Sequence, residues 1–161
     1  MPDDGDAVGD LRASFAGLAF EDVSLRLDHV YEVELSPWGV QAFRFAILAD
    51  ERIAGTITLR PEATHLLTHL SGQIGFSVEP EFRGRNLAEK AVRALLPAAV
   101  AKGLREIWIT TTPENAACRR TLEKLGCVLI ESLMVPQDYE SYARGERAKL
   151  RYRLDLGKPA G

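Results

Sequence analysis

The pattern of hydrophobic and polar positions changes its period within residues 72–101, and this change predicts a strand followed by a helix. Three apolar residues first alternate with small or polar ones: Ile74, Phe76 and Val78. This is the period-2 pattern of a strand with one buried face, and Pro80 ends it. Apolar residues then recur at helical spacing over residues 87–101, with charged residues on the opposite face. The short connection between strand and helix carries Arg83 and Arg85.

This connection has the features of an anion-binding loop. The first N–H groups of a helix have no partner inside the helix, and they lie at the positive end of its dipole. Gly84 and Ala88 are small enough to let a ligand approach that backbone closely. An ordinary strand-to-helix connection with solvated arginines fits the local pattern equally well.

The residues before this unit predict a meander of strands. Residues 23–35 alternate as one or two strands with an exposed face, and the segment 36–39 breaks the run. Alternation over residues 43–47, a turn at residues 50–52 and a returning strand over residues 53–59 predict a hairpin.

The ends of the helices are predicted from proline, glycine and capping residues. Pro97 predicts a kink or an early end near Leu96, before Gly103 stops the first long helix. Residues 104–111 form a mainly buried strand, and the order strand, helix, strand implies a right-handed crossover with parallel neighbours. Thr112 is the predicted N-cap of the next helix.

The C-terminal part of the chain predicts two more strands around a polar loop. Residues 127–134 form the first strand, and residues 135–145 form a loop that carries two tyrosines. Residues 149–156 alternate between apolar and mainly basic positions, which predicts a last strand with one solvated basic face. Binding of phosphate or of an acidic substrate by that face is the alternative.

Three stretches in this order resemble the motifs of the GCN5-related N-acetyltransferases. The loop Arg83-Gly84-Arg85-Asn86-Leu87-Ala88 resembles the family signature Arg/Gln-x-x-Gly-x-Gly/Ala. Residues 107–110 resemble the family's next strand, and residues 115–126 are similar to its motif Asn-x-x-Ser-x-x-x-x-Glu-Lys-Leu-Gly. The resemblance extends over roughly residues 52–156. It is nearest to the branch that has an Asn-x-x-Ser-type helix without a helix tyrosine.

The resemblance implies a fold and a co-substrate. The fold is α/β (α+β), with a mixed, mostly antiparallel central sheet, a splayed pair of parallel strands and flanking helices. The co-substrate is acetyl-CoA, with its pyrophosphate on the loop amides and its pantetheine arm along the preceding strand. The residues that the resemblance assigns to its binding are Phe76, Ser77, Val78, Arg83, Gly84, Arg85, Asn86, Leu87, Ala88, Asn115 and Cys118. Asn115 is equally well interpreted as a plain helix cap.

Asn86 departs from the family signature, since it stands at the motif's central glycine. Asparagine tolerates a left-handed backbone better than other residues with a Cβ, so we predict that Asn86 replaces the glycine without loss. A negative φ at Asn86 is the alternative.

The resemblance also implies acetyl transfer to a primary amine of a small molecule, peptide or protein, by direct attack in a ternary complex. Two proton-transfer residues of the family are absent: Leu122 stands at the tyrosine that often protonates the thiolate, and Gln73 stands at a glutamate base. Cys118 and Tyr139 are the candidate acids, with a core cysteine as the alternative for Cys118 and Tyr142 as the alternative loop tyrosine. Either no base is needed, or Glu79 acts as the base through water. These departures favour a second hypothesis, a non-catalytic module that binds or senses acyl-CoA.

The acceptor pocket is the least determined part of the site. Members of the family usually carry two helices between their first and second strands, where part of that pocket is built. Too little helical sequence precedes the meander of this chain to supply both helices.

Length and charge suit a single globular enzyme. The 161 residues are 46% hydrophobic, enough for one domain with one core. We assign residues 1–17 to a flexible acidic tail with a short helical turn near residues 11–15, and residues 18–157 to a single acetyltransferase domain. Four aspartates in the tail account for the formal net charge of −3, so the rest of the chain is near neutral and nucleic-acid binding is disfavoured. We expect a monomer or a homodimer.

Cysteines and histidines predict neither disulfides nor a metal site. Cys118 and Cys127 lie close together in the chain on different elements, which favours a reduced, cytoplasmic setting. The acidic N-terminus lacks the pattern of a signal peptide, and no apolar stretch reaches the ~20 residues of a membrane span. His65 and His69 are four residues apart, but no third ligand has matching spacing. We interpret them as loop residues, with acceptor binding as the alternative.

Overall fold

The computed structural model describes residues 15–157, which form two antiparallel sheets with helices against them. The five strands of the first sheet follow chain order: β1 (Ala19–Phe20), β2 (Val23–Tyr31), β3 (Ala42–Ala49), β4 (Arg52–Leu59) and β5 (Ile74–Val78). The second sheet has the order β6-β8-β7, formed by β6 (Glu106–Thr111), β7 (Val128–Met134) and β8 (Ala148–Asp155). The α-helices are α1 (Leu87–Ala101), α2 (Ala116–Lys124) and the single turn α3 (Glu140–Ala143). A π-helical segment spans Leu66–Ser71.

The predicted hairpin is confirmed as β3 and β4. Asp50 and Glu51 form its two-residue turn, with φ of 53° and 60°, and Ala49 pairs with Arg52. Positive φ at both turn residues matches the right-handed twist of the flanking strands.

The predicted strand pattern over residues 23–35 is wrong at its C-terminal end. β2 ends at Tyr31, and Val33–Leu35 form a 3-10 turn. Val33 and Leu35 are 51% and 85% exposed, so these apolar side chains have no buried face that would hold them in a sheet. Between β2 and β3 the structure therefore has this turn where the family usually has helices.

The long helix passes through Pro97, so its predicted early end near Leu96 is wrong. Ala98 and Ala99 continue the buried face of α1 beyond the proline, and this packing outweighs the one missing N–H donor. The helix ends where predicted, because Gly103 has a φ of 91° and the N–H of Leu104 donates to the carbonyl of Ala99.

β5 and β6 diverge instead of forming a parallel hydrogen-bonded ladder. Just before β5, the backbone N–H of Gln73 donates to the carbonyl of Trp108 over 2.7 Å. The buried Gln73 side chain accepts from the N–H of Trp108 (2.8 Å) and donates to the carbonyl of Glu62 (2.9 Å). Beyond this link β5 pairs with β4, and β6 pairs with β8. The splayed pair is thus present, whereas the predicted parallel pairing is reduced to two hydrogen bonds between Gln73 and Trp108.

The hydrophobic core lies between α1 and the inner face of the five-stranded sheet, and it continues under the second sheet. Phe15 belongs to this core: its ring packs edge-on against Phe43 and Phe45, at centroid distances of 5.0 and 5.4 Å. The tail predicted to reach residue 17 therefore includes a core residue. The rest of that tail and most of its predicted helical turn lie outside the described residues. None of the described helices is long and apolar enough to cross a membrane.

Candidate active site

The loop after β5 brings backbone N–H groups to the start of α1. Gly84 has a φ of 85°, and Asn86, the N-cap of α1, has a φ of 59°. The prediction of a left-handed Asn86 is confirmed. Its side-chain oxygen accepts a hydrogen bond from the ammonium of Lys124 over 2.7 Å, which ties the loop to α2.

The space over this loop fits an anionic ligand. A Cβ added at Gly84 would meet no atom within 4 Å, so the backbone there faces open space. The 15-residue helix α1 directs its first N–H groups and its positive dipole end toward this space. The structure thus provides the backbone donors and the access that a pyrophosphate needs.

A cleft of about 810 Å³ lies between β5, this loop and α2. Ten of the eleven residues that the sequence assigned to the cofactor line it: Phe76, Ser77, Val78, Arg83, Gly84, Asn86, Leu87, Ala88, Asn115 and Cys118. Arg85 is the exception, because its guanidinium turns to Asp50 (2.8 Å) and Asp22 (3.8 Å). Arg120 and Lys124 of α2 also line the cleft and were not predicted; their positions on one face of a helix beside the asparagine motif could have indicated them.

Asn115 is the N-cap of α2, so the predicted cap at Thr112 is wrong. The side-chain oxygen of Asn115 accepts from the backbone N–H of Cys118 over 3.1 Å. Thr112 instead begins a turn in which its carbonyl accepts from the N–H of Asn115. Because its own side chain satisfies the helix start, Asn115 keeps a fixed position beside the cleft.

A second, smaller cleft of about 220 Å³ lies between the diverging strands β5 and β6. It shares Phe76, Asn115 and Cys118 with the larger cleft, so the two clefts adjoin at these side chains. Its far end is lined by Ser71 and by the ion pair of Glu146 and Lys149, whose carboxylate oxygen and ammonium are 3.0 Å apart. Sequence analysis missed this pair.

Both candidate acids named from the sequence lie at or beside the smaller cleft. Burial raises the pKa of the Cys118 thiol, although the hydroxyl of Thr111 and the charge of Lys149 act in the opposite direction. Cys118 is therefore a protonated thiol at neutral pH. The hydroxyl of Tyr139 is 2.8 Å from that of Ser71, and through Ser71 it reaches the cleft.

The two departures from the family motifs are structural residues here. Leu122 is fully buried in the core, and Gln73 is occupied by its links to Glu62 and Trp108. Neither side chain has a proton to give or a free site that accepts one.

Arg60 holds the mouth of the smaller cleft together. Its guanidinium donates to the carbonyls of Ser71 (3.0 Å) and Gly72 (2.9 Å) and lies 4.1 Å from the ring centroid of Trp38. Burial lowers the pKa of Arg60 to about 10. A Cβ at position 75 would lie 2.8 Å from this guanidinium, so a larger residue there would displace the Arg60 side chain.

The interpretation of His65 and His69 as loop residues is wrong, because His69 lies in the π-helical segment Leu66–Ser71 and His65 is its N-cap. His65 and His69 stack with ring centroids 4.2 Å apart, and burial is the main cause that lowers the pKa of His69. Among residues 15–157 no three histidine, cysteine or carboxylate side chains cluster as metal ligands would. The histidines do not line either cleft.

The predicted solvated face of the last strand is wrong at two positions. Arg151 is only 7% exposed; it pairs with Glu131, donates to the carbonyl of Thr68 and lies 4.2 Å from the ring centroid of Trp108. Lys149 lines the smaller cleft. Trp108 therefore packs against a cation.

Comparison with known proteins gives related acetyltransferases. N-alpha-acetyltransferase 30 of Schizosaccharomyces pombe (strain 972 / ATCC 24843) is 29% identical over 99 residues, which cover 61% of this chain and 64% of that protein. Among solved structures, RimJ of Mycobacterium smegmatis with CoA-disulfide has a TM-score of 0.57 at 22% identity, covering 73% of this chain and 54% of that one. The Microcin C7 self immunity acetyltransferase MccE, with acetyl-CoA and AMP, has a TM-score of 0.56 at 19% identity, covering 71% and 61%.

These relatives extend beyond the matched region, since the chain spans less than two thirds of their length. The structural likeness, at under 25% identity, shows a shared fold. The family model described as an acetyltransferase (GNAT) domain matches residues 21–128, well over half of the chain. The chain belongs to the GNAT acetyltransferase family.

Proposed function

We propose that the protein transfers the acetyl group of acetyl-CoA to a primary amine, by direct attack of the amine on the thioester in a ternary complex. The observation that carries this proposal is the junction of two clefts at Phe76, Asn115 and Cys118. The larger cleft borders a helix start that suits a pyrophosphate. The smaller one ends in ionisable side chains that suit an amine.

The cofactor side of the reaction relies on backbone groups. β5 pairs with β4 along one edge, and residues 76–78 border the larger cleft. N–H groups on the edge that is free of β4 are suited to hold the pantetheine arm and to stabilise negative charge on the thioester oxygen. The loop amides of residues 83–88 would hold the pyrophosphate.

Positioning of the two substrates supplies much of the rate. Holding amine and thioester together removes an entropy cost that is worth ~7–11 kcal/mol in well-oriented reactions. Catalysis is therefore compatible with the absence of a helix tyrosine and of a strand glutamate.

The acceptor is a primary amine of a small molecule, a peptide or a protein. The names of the relatives support α-amino groups of proteins as one class, since they include an N-alpha-acetyltransferase and a ribosomal L7/L12 alpha-N-protein acetyltransferase.

A screen of small amines and peptide N-termini tests the proposal. The readouts are acetyl-CoA-dependent release of CoA and the acetylated product, identified by mass spectrometry. Turnover of any primary amine above the uncatalysed rate supports the proposal. Binding of acetyl-CoA without turnover of any amine would favour the acyl-CoA sensing module, to which the missing tyrosine and glutamate point. Absence of binding at millimolar acetyl-CoA contradicts both.

A further inference from the structure

We propose that the Glu146–Lys149 ion pair is the proton-transfer pair of this active site: Glu146 accepts protons from the acceptor amine, and Lys149 donates one to the departing sulfur. This inference rests on the proposed acetyl transfer. It assigns the acid and the base, which neither the sequence motifs nor the family match identifies in this chain.

The position of the pair carries the inference. Of the side chains that line the smaller cleft, Glu146 and Lys149 are the two that carry a charge. They do not line the larger cleft, whereas Cys118 lines both. The pair therefore lies beyond the junction of the clefts, on the side from which an amine would meet the thioester.

The pair is also sheltered and held in place. The Lys149 side chain is 13% exposed and that of Glu146 is 27% exposed, with 3.0 Å between the carboxylate oxygen and the ammonium. The backbone N–H of Glu146 donates to the carbonyl of Ser141, which fixes the loop between α3 and β8. An ion pair with this little exposure keeps a defined geometry, unlike a solvated surface pair.

The Lys149 ammonium and the Glu146 carboxylate are suited to different reacting atoms, the cofactor sulfur and the acceptor nitrogen. Lys149 and Cys118 line the same small cleft, and Cys118 also borders the larger cleft, so the ammonium is on the side proposed for the cofactor sulfur. Burial acts to raise the pKa of Glu146, but the neighbouring charge of Lys149 lowers it, and the net direction is downward. Glu146 is therefore an ionised carboxylate that attracts an ammonium.

The proton inventory closes with this assignment. Glu146 takes one proton from the acceptor ammonium and releases it to solvent, so that the neutral amine attacks the carbonyl carbon and the C–N bond forms. The second nitrogen proton then passes to Glu146. Lys149 donates its proton to sulfur as the C–S bond breaks. Glu146 returns the proton to Lys149 across their contact, and the products are the amide, the CoA thiol and one proton in solvent.

The purely structural alternative is a pair that fixes the start of β8. Such a role predicts a loss of stability on replacement of either residue, with no effect on the ionisation of a bound thiol. The two interpretations therefore predict different ionisation of a bound thiol, which can be measured without any turnover.

The first arm of the test measures the thiol of bound CoA. Ultraviolet absorbance reports the thiolate fraction of CoA in the complex as pH is varied, after subtraction of the CoA-free protein. Lys149→Met should lower that fraction about tenfold at fixed pH, because a cation a few ångströms away shifts a pKa by about one unit or more. Lys149→Arg should preserve it. An unchanged thiolate fraction in Lys149→Met would show that the ion pair does not act on the sulfur, and it would overturn the inference.

The second arm measures kcat with the amine that the screen identifies. Glu146→Gln and Lys149→Arg should each lower kcat about 100-fold, because an amide accepts no proton and arginine retains its proton. Glu140→Gln, an exposed glutamate in the adjacent helix α3, is the matched control and should be unaffected. Losses below tenfold in both pair variants reject the inference alone. A wild-type protein that acetylates no amine rejects the proposed function.

Discussion

The two sides of the proposed active site differ in how far apart in the chain their residues lie. The proposed cofactor side is built from two continuous stretches, residues 76–88 and residues 115–124. The acceptor side joins distant residues: Ser71 contacts Tyr139 across 68 positions, and Arg151 reaches the carbonyl of Thr68 across 83. A binding site that is formed by local turns and helix caps can be predicted from the sequence. A site that is formed by long-range contacts cannot, because its residues come together only when the chain folds.

Gln73 joins the two sides, and its replacement should have the largest effect. Gln73→Leu removes the partner of the half-buried N–H of Trp108 and of the carbonyl of Glu62, an exposed residue whose carbonyl can bind water instead. We expect the free energy of unfolding to fall by about 2–3 kcal/mol, since an unsatisfied polar group inside the protein costs about 1–3 kcal/mol. Urea denaturation measures this loss. Gln41→Leu, which removes an exposed contact with Glu32, is the control and should change stability by about 0.5 kcal/mol or less.

The next effect should be confined to the cofactor side. Gly84→Val imposes a β-branched residue on a φ of 85° and places methyl groups in the space over the loop amides. We expect acetyl-CoA to bind about 30-fold more weakly, from a strain of about 1–2 kcal/mol and the loss of close approach. Calorimetry measures the affinity. Gly103→Val has a similar φ of 91° and equally open surroundings, far from both clefts, so it should lose stability but retain affinity.

Replacement of Arg60 should affect the acceptor side alone. Arg60→Met removes the donors that hold the carbonyls of Ser71 and Gly72. We expect KM for the amine to rise about tenfold while the dissociation constant of acetyl-CoA stays the same, since a charged hydrogen bond contributes about 1.5–3 kcal/mol. Steady-state kinetics measure KM for the amine, and calorimetry measures the dissociation constant of acetyl-CoA. Arg26→Met, an exposed change on β2, should alter neither, and a parallel loss of cofactor affinity would contradict the division.

The smallest effect concerns Cys118, where the two clefts adjoin. Because burial raises the pKa of its thiol, the thiolate fraction near neutral pH is below that of an ordinary cysteine. Alkylation by iodoacetamide should therefore be about threefold slower or more than for glutathione, and should speed up as pH rises toward the raised pKa. Peptide mapping by mass spectrometry follows the site. Cys127, with a pKa raised to about 11, should react more slowly still. Faster reaction of Cys118 than of glutathione would contradict this environment.

The sequence predicted those features whose causes are local. The hairpin at Asp50 and Glu51 and the left-handed Asn86 follow from the turn preferences of single residues. The end of α1 after Gly103 follows from a glycine that adopts positive φ. The GNAT fold was predicted because these local units occur in the family's order, and the family match confirms it.

Features that depend on packing or on distant partners were not predicted. The helix through Pro97 is retained by burial of Ala98 and Ala99, which outweighs a local preference. Lys149 follows the alternation of a solvated strand face, and it lines the smaller cleft only because β8 pairs with β6 in the fold. The helix cap is Asn115 and not the predicted Thr112. Both residue types suit an N-cap, and the turn between them determines where the helix begins.

The most direct test of the account is a titration of backbone amide NMR signals with acetyl-CoA in the absence of any amine. The account predicts saturable binding, with the largest shifts in residues 76–78, 83–88 and 115–118, and with smaller shifts at Tyr139 and Arg60. That result would show that the cofactor side is complete without the acceptor. No binding at millimolar acetyl-CoA, or shifts concentrated away from these three segments, would contradict it.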